Sequence, residues 1–260
     1  MMASVGEILN FLWKIAPPEL AEGFDNIGLI AGDEEVNVTK ALLSLDITEG
    51  VIKEAIEEKA QLIISHHPVV FGNVKRFTPQ DYNAKRAYTL VKSGISAICM
   101  HTNLDSADDG VGETLAKKIG LSDIREIEGS GENANMGRIG FLEEAVEPEW
   151  LALSVKNALG CDAVRYVAGN RKVSAVAVIG GSGGDFSELA INSGADAFVT
   201  ADIKHHQFIY AKDSGLTLID AGHYETEYPI IPELKARLEE EFSMVKFQLS
   251  QTGNLIKTLY

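Results

Sequence analysis

The runs Ala41-Leu42-Leu43-Ser44-Leu45 and Leu62-Ile63-Ile64-Ser65, separated by the amphipathic stretch 48–59, decide the fold. Runs this short and this apolar read as strands, and the stretch between them reads as a helix. The rhythm continues through a helix at 81–92, a strand at 95–100 and a helix at 112–119. Farther on, strands at 138–142 and 163–167 flank a helix at 148–159. Strands at 173–179, 197–200 and 216–219 then alternate with helices at 186–192 and 205–212, and a last helix at 232–242 precedes an edge strand at 244–249. Alternation of this kind predicts an α/β fold with largely parallel strands.

Upstream, Ser4-Val5-Gly6-Glu7 has the spacing of a capping box, and Ile8, Phe11, Leu12 and Ile15 then fall on one helical face. Pro17-Pro18 ends that helix. The polar stretch 122–137, with Gly129-Ser130-Gly131-Glu132-Asn133 inside it, breaks the rhythm and reads as a boundary or a loop. The expected division is a first α/β lobe over 1–125 and a second over 126–260.

A chain of 260 residues can bury one large core or two lobes of ordinary size. Its 45% hydrophobic and 23% charged residues are those of a soluble globular protein. No apolar run approaches the ~20 residues that cross a bilayer. Met1-Met2-Ala3-Ser4 opens no basic-then-apolar segment, so a cytoplasmic location is expected. Cys99 and Cys161 have no metal-type spacing and read as buried reduced thiols. The net charge of −15 disfavours nucleic acid and anionic membranes as partners. A locally bound metal would still draw in an anionic small molecule.

Histidines gather at the ends of the strands. His66-His67-Pro68 follows the second run, His101-Thr102-Asn103-Leu104-Asp105 follows the strand at 95–100, and His223-Tyr224-Glu225-Thr226-Glu227 follows the strand at 216–219. One histidine past a strand is ordinarily a cap or a satisfied polar residue. Three such signals, two with a carboxylate four residues on and one with a second histidine beside it, and no thiolate among them, are what a divalent transition-metal site requires. Adjacent residues past a strand diverge, so His66 and His67 suit two ions better than one. His223 and Glu227 share a face if their segment is helical, as do His101 and Asp105. His205-His206 begins a helix and reads as a cap, a cleft lining or a subunit bridge. Both halves run strand–helix–strand to a His-His pair and then helix–strand to His-x-x-x-carboxylate. This predicts two related lobes, an internal duplication, with a dinuclear metal site at the lobe interface. Gly180-Gly181-Ser182-Gly183-Gly184-Asp185 lies between a strand and a helix; it reads as a permissive turn, with a phosphate cradle as the alternative.

With Phe24-Asp25-Asn26-Ile27-Gly28-Leu29, Ser65-His66-His67-Pro68, His101 to Asp105 and Gly222 to Glu227 in this order, the chain resembles the NIF3-like (NGG1-interacting factor 3-like) family over its whole length. Bacterial members are often labelled GTP cyclohydrolase 1 type 2 homologues. The resemblance implies a two-lobed α/β protein with a dinuclear centre, assembled as a homohexameric ring. It implies His66, Asp105 and Glu227 on one ion and His67, His223 and Glu227 on the other, with His101 beside them. Thr200-Ala201-Asp202 departs from relatives that carry Gly before the acidic residue.

The expected activity is metal-dependent hydrolysis of an anionic small molecule or nucleotide, with two divalent ions per chain drawn from Zn, Mn, Fe, Co or Ni. His101 would serve as general acid or base, as a ligand, or in packing. The alternative is a non-catalytic metal-binding ring that serves a protein partner or delivers metal.

Overall fold

The computed structural model describes residues 3–127 and 136–259. In chain order the strands are β1 (Ala3–Ser4), β2 (Gly28–Ala31), β3 (Asn37–Val38), β4 (Lys40–Ser44), β5 (Leu62–Ser65) and β6 (Ser96–Cys99). They continue as β7 (Ser122–Glu126), β8 (Arg138–Val146), β9 (Arg165–Val167), β10 (Val173–Ser182), β11 (Ala197–Ala201), β12 (Thr217–Asp220) and β13 (Lys246–Leu249). The helices are α1 (Val5–Ile15), α2 (Glu49–Glu57), α3 (Lys85–Lys92), α4 (Thr102–Ser106) and α5 (Val111–Lys118). They continue as α6 (Pro148–Leu159), α7 (Ser187–Asn192), α8 (His205–Asp213), α9 (His223–Glu227) and α10 (Ile230–Glu241).

The chain forms two compact units, one of Met1–Leu104 with Ile231–Leu255 and the other of Asp105–Ile230 with Ile256–Tyr260. Residues 105–125, expected with the first lobe, thus belong to the second unit, and 231–255, expected with the second lobe, to the first.

The first unit opens with α1, whose capping box is fully formed: Ser4 N–H donates to Glu7 Oε2 at 2.7 Å and Glu7 N–H to Ser4 Oγ at 3.1 Å. Its five-stranded sheet has the order β13-β4-β5-β6-β2. β13, β4, β5 and β6 are parallel, and β2 runs antiparallel beside β6. β5 and β6 are buried along their whole length and β4 from Ala41 onward, which is why they read as apolar runs. Leu42, Ile63 and Ala97 on one face pack with Val51, Ile52 and Ala55 of α2 and with Ala87 and Leu90 of α3. Burying each large aliphatic side chain there is worth about 1.5–3 kcal/mol. The registers Ser44↔Ser65 and Ser65↔Cys99 bring the carboxyl ends of β4, β5 and β6 to one edge.

The second unit has a six-stranded sheet in the order β7-β8-β10-β11-β12-β9. Here the expectation of largely parallel strands fails. β10, β11 and β12 are parallel, but β8 is antiparallel to β10, β7 to β8 and β9 to β12. β7 left no apolar signal because it is a solvated edge strand in which Ile124 alone is partly buried. The Gly129–Asn133 stretch lies outside the described residues. Helices cover both faces of this sheet. Val176, Val178, Val199 and Ile219 pack with α5 and α6, while Ala177, Ile179, Phe198 and Leu218 pack in a second core with Ala190 of α7 and Ala211 of α8. Among the described residues no helix is long and apolar enough to cross a membrane.

Candidate metal centre

The carboxyl edge of the first unit's sheet gathers three of the expected histidines. His66 and His67 leave β5, and His101 lies two residues past β6. Ser65 Oγ donates to the His67 carbonyl at 2.8 Å, and His67 N–H donates to the Leu45 carbonyl at 2.9 Å, so this turn is fixed. The His66 and His67 ring centroids are 5.0 Å apart, and the His101 ring lies 5.2 Å from the first and 5.6 Å from the second. One ring nitrogen from each of the three falls within 4.8 Å of the others. His66 is fully buried; the other two are partly exposed.

Each ring is held through Nδ1 by an acceptor that cannot donate. His66 Nδ1 is 2.8 Å from the Met100 carbonyl, His67 Nδ1 is 2.9 Å from Asp46 Oδ1, and His101 Nδ1 is 2.8 Å from Asp25 Oδ1. A carbonyl or an ionised carboxylate only accepts, so Nδ1 carries the proton and Nε2 of a neutral ring keeps its lone pair. This is how metal-ligating imidazoles are ordinarily oriented and made more basic. Burial would raise the Asp25 pKa, but the His101 ring, the Thr102 hydroxyl and the Thr102 N–H together hold it well below the usual carboxylate range. Asp25 is therefore an anion at neutral pH.

The second unit repeats the device. His223 opens α9 just past β12, with its Nδ1 2.8 Å from Asp202 Oδ2 and its Nε2 3.2 Å from Glu227 Oε2. With Nδ1–H committed to Asp202, the Nε2 lone pair faces an anionic oxygen, and the two need a proton or a cation between them. Asp202 itself sits at φ 54°, a left-handed backbone that Asp adopts more readily than most residues. Asp105 in α4 and Glu227 in α9 are both buried, at 7% and 4% exposure. Anionic side chains buried so deeply are ordinarily matched by positive charge, and this donor set fits divalent cations.

Glu227 is seated against glycine. Gly181, at φ +63°, leaves open the space where a Cβ would collide with Glu227 Oε1 and approach His223 Nε2 to 3.1 Å. A Cβ on Gly180 would meet Glu227 Cγ at 3.2 Å. Gly181 N–H donates to Thr226 Oγ1 at 3.0 Å, and Thr200 Oγ1 donates to the Gly181 carbonyl at 3.1 Å. Farther along, Gln207 fills the space over Gly184. The glycine turn thus admits the protein's own side chains, in keeping with a permissive turn.

His205 and His206 fall in the first turn of α8, both exposed and set apart from β11 by three residues. The residues directly past β11, in the place that His66-His67 occupies past β5, are Asp202-Ile203. Cys99 and Cys161 are buried thiols outside any disulfide; burial pushes the Cys161 thiol up to about 12, which makes it inert. Sequence reasoning missed the acids behind the rings. Asp46 and Asp202 carried a usable signal, since each lies one or two residues past a parallel strand at the same edge as its histidine.

The model of the family described as Duf34/NIF3 (NGG1p interacting factor 3) matches residues 3–254. A Clostridium perfringens protein named GTP cyclohydrolase 1 type 2 homolog is 35% identical over 251 residues, covering 95% of this chain and 96% of its own. A Staphylococcus aureus protein of solved crystal structure is 31% identical, with a TM-score of 0.90 and 100% of each chain covered. Reduced HcgD from Methanocaldococcus jannaschii is 26% identical, with a TM-score of 0.83 over 97% of this chain and 99% of its own.

Proposed function

The chain belongs to the Duf34/NIF3 (NGG1p interacting factor 3) family, and from that premise we propose that it is a metal-dependent hydrolase of an anionic small molecule or nucleotide. One observation carries the reading: the imidazoles of His66, His67 and His101 crowd within 4.8 Å, with Nδ1 of each already committed. In this reading His66, Asp105 and Glu227 hold one divalent ion, and His67, His223 and Glu227 hold a second. Zn, Mn, Fe, Co and Ni all suit such mixed imidazole and carboxylate ligation. Divalent ions at such a centre lower the pKa of water and stabilise charge developing on attacking and leaving oxygens.

The residues do the rest. Asp46, Asp25 and Asp202 fix the three partly exposed rings and, in the neutral tautomer, leave the lone pair on Nε2. His101, oriented by Asp25, holds or passes a proton at Nε2 as general acid or base. Asp105 and Glu227 offset only half the charge of two dications, so the ions themselves keep positive charge for an anionic ligand, although Asp25, Asp46 and Asp202 stand behind the rings. The name of the Clostridium perfringens relative directs the choice of substrate toward nucleotides.

We also infer that the two units arose by duplication. In each, three consecutive parallel strands, β4-β5-β6 and β10-β11-β12, have an antiparallel strand beside the last, and that last strand leads to a five-residue helix. A histidine starts or precedes that helix, and a carboxylate lies four residues on. The assembly belonging to this reading is a homohexameric ring.

The test assays purified, metal-quantified protein against phosphoesters, nucleotides and cyclic amides, with and without chelator. Turnover that disappears on chelation and returns with one of the five dications is the expected result. Two ions bound with no turnover on the panel would instead make the chain a metal-binding scaffold.

A further inference from the structure

Two phenylalanines stand exposed beside the imidazole cluster. Phe24 is 66% exposed and Phe71 58%. Their ring centroids are 6.4 Å apart at 62°, and the Phe71 ring lies 6.4 Å from the His101 ring at 89°. Phe77, also over half exposed, has its own edge-on partner in Tyr88. Phe24 and Phe71 thus extend the line of rings outward from His66 and His101.

Their backbones are held in place. Asn26 Nδ2 donates to the Val70 carbonyl at 2.8 Å, which ties the segment carrying Phe24 to the segment carrying Phe71. Asp25, between Phe24 and Asn26, is pinned by the His101 ring and by the N–H of Thr102. An exposed apolar patch on such a fixed frame beside a polar site marks a place where a ligand sits.

From this juxtaposition we propose that Phe24 and Phe71 form a stacking subsite for a planar heteroaromatic ring, of nucleobase size, in the molecule whose anionic end reaches the histidines. The proposal rests on the metal-centre reading and names the substrate's other end. Stacking on an aromatic face needs no cationic side chain, which suits a chain of net charge −15. One centroid step, 6.4 Å from Phe71 to His101, separates the subsite from the near edge of the cluster, and a second, 5.6 Å from His101 to His67, crosses it, a span that one sugar and its phosphate can bridge. The division of labour is simple. The rings take the base and the centre takes the phosphate.

The test uses the full chain loaded with Mn, its metal content measured, titrated by calorimetry with GMP, guanosine and ribose 5-phosphate. The native protein should bind GMP at least tenfold more tightly than ribose 5-phosphate. The double variant Phe24→Ala/Phe71→Ala should lose that preference and its guanosine binding while keeping its metal content and its ribose 5-phosphate affinity. Phe71→Trp should keep the preference. A native protein that does not distinguish GMP from ribose 5-phosphate overturns the proposal, as does a GMP preference that survives removal of both rings. Loss of assembled mass in the double variant with GMP binding unchanged also overturns it, and assigns the rings to a contact between copies. Failure of the metal-centre reading would show separately, as native protein that retains no Mn yet loses guanosine binding in the double variant.

Discussion

Replacing Gly181 by alanine should damage metal binding far more than folding. The added Cβ enters space held by Glu227 Oε1, so the carboxylate must move, and it carries with it the His223 Nε2 contact at 3.2 Å. A left-handed backbone also costs an alanine about 1–2 kcal/mol. That strain alone predicts a fall in Tm of roughly 2–4 °C per kcal/mol for a chain of this size. The displaced ligand adds a separate effect. Disturbing the groups that orient a metal ligand typically costs about 10–100-fold in affinity, and moving the ligand itself should cost at least as much. Gly194→Ala separates the two, because Gly194 has φ +83° and nothing within 4 Å of the position a Cβ would take. Both variants should melt lower by similar amounts, but only Gly181→Ala should lose metal in competition with a chromophoric chelator. Equal metal affinity in the two variants would refute the seating of Glu227 by glycine as a determinant of the centre.

Glu227→Gln should retain less metal after dialysis than Asp105→Asn, because Glu227 is the carboxylate proposed to serve both ions; full two-ion occupancy in Glu227→Gln would place the bridge elsewhere. Asp202→Ala should weaken metal affinity by about 10–100-fold, and Asp202→Asn by less, since asparagine tolerates the φ of 54° and can still accept from His223. Asp25 has a folded-state pKa below its ordinary 3.8, so its contribution to stability is present above that value and is lost as pH falls through the lower one. Urea unfolding of metal-free Asp25→Asn should accordingly show lower stability at neutral pH and a shallower loss on acidification than the native chain. Sedimentation at micromolar concentration should give a mass several times the 28.1 kDa of one chain, and a clean monomer would exclude the ring.

The strands that lead into the candidate centre were legible because β5, β6, β11 and β12 are buried on both faces and therefore leave apolar runs. β7 was not, since an exposed edge strand needs no apolar residues and Ser122-Asp123 looks like a turn. Neither was β2, whose four residues pair antiparallel with β6 but are too few to show a period. The division into units was obscured for a different reason. β13 pairs in parallel with β4, some two hundred residues earlier, and local pattern carries no information about such a partner.

The same distinction separates the proposed ligands from the groups that orient them. A histidine and a carboxylate four residues apart on one short helix are neighbours whatever the rest of the chain does, so His223 and Glu227 could be paired from spacing alone. The acid behind each ring is set by alignment across strands. Asp46 reaches His67 because Ser44 is in register with Ser65, and Asp202 reaches His223 because Thr200 is in register with Asp220. Asp25 comes from 76 residues before His101, through a loop with no periodicity. Yet these acids decide the chemistry of the rings. Without an acceptor on Nδ1 an imidazole is free to protonate either nitrogen, and four such rings would offer no defined set of lone pairs. With Asp46, Asp25 and the Met100 carbonyl in place, the three rings of the first unit present Nε2, which turns a coincidence of histidines at strand ends into an ordered donor set, and Asp202 fixes His223 of the second unit in the same way.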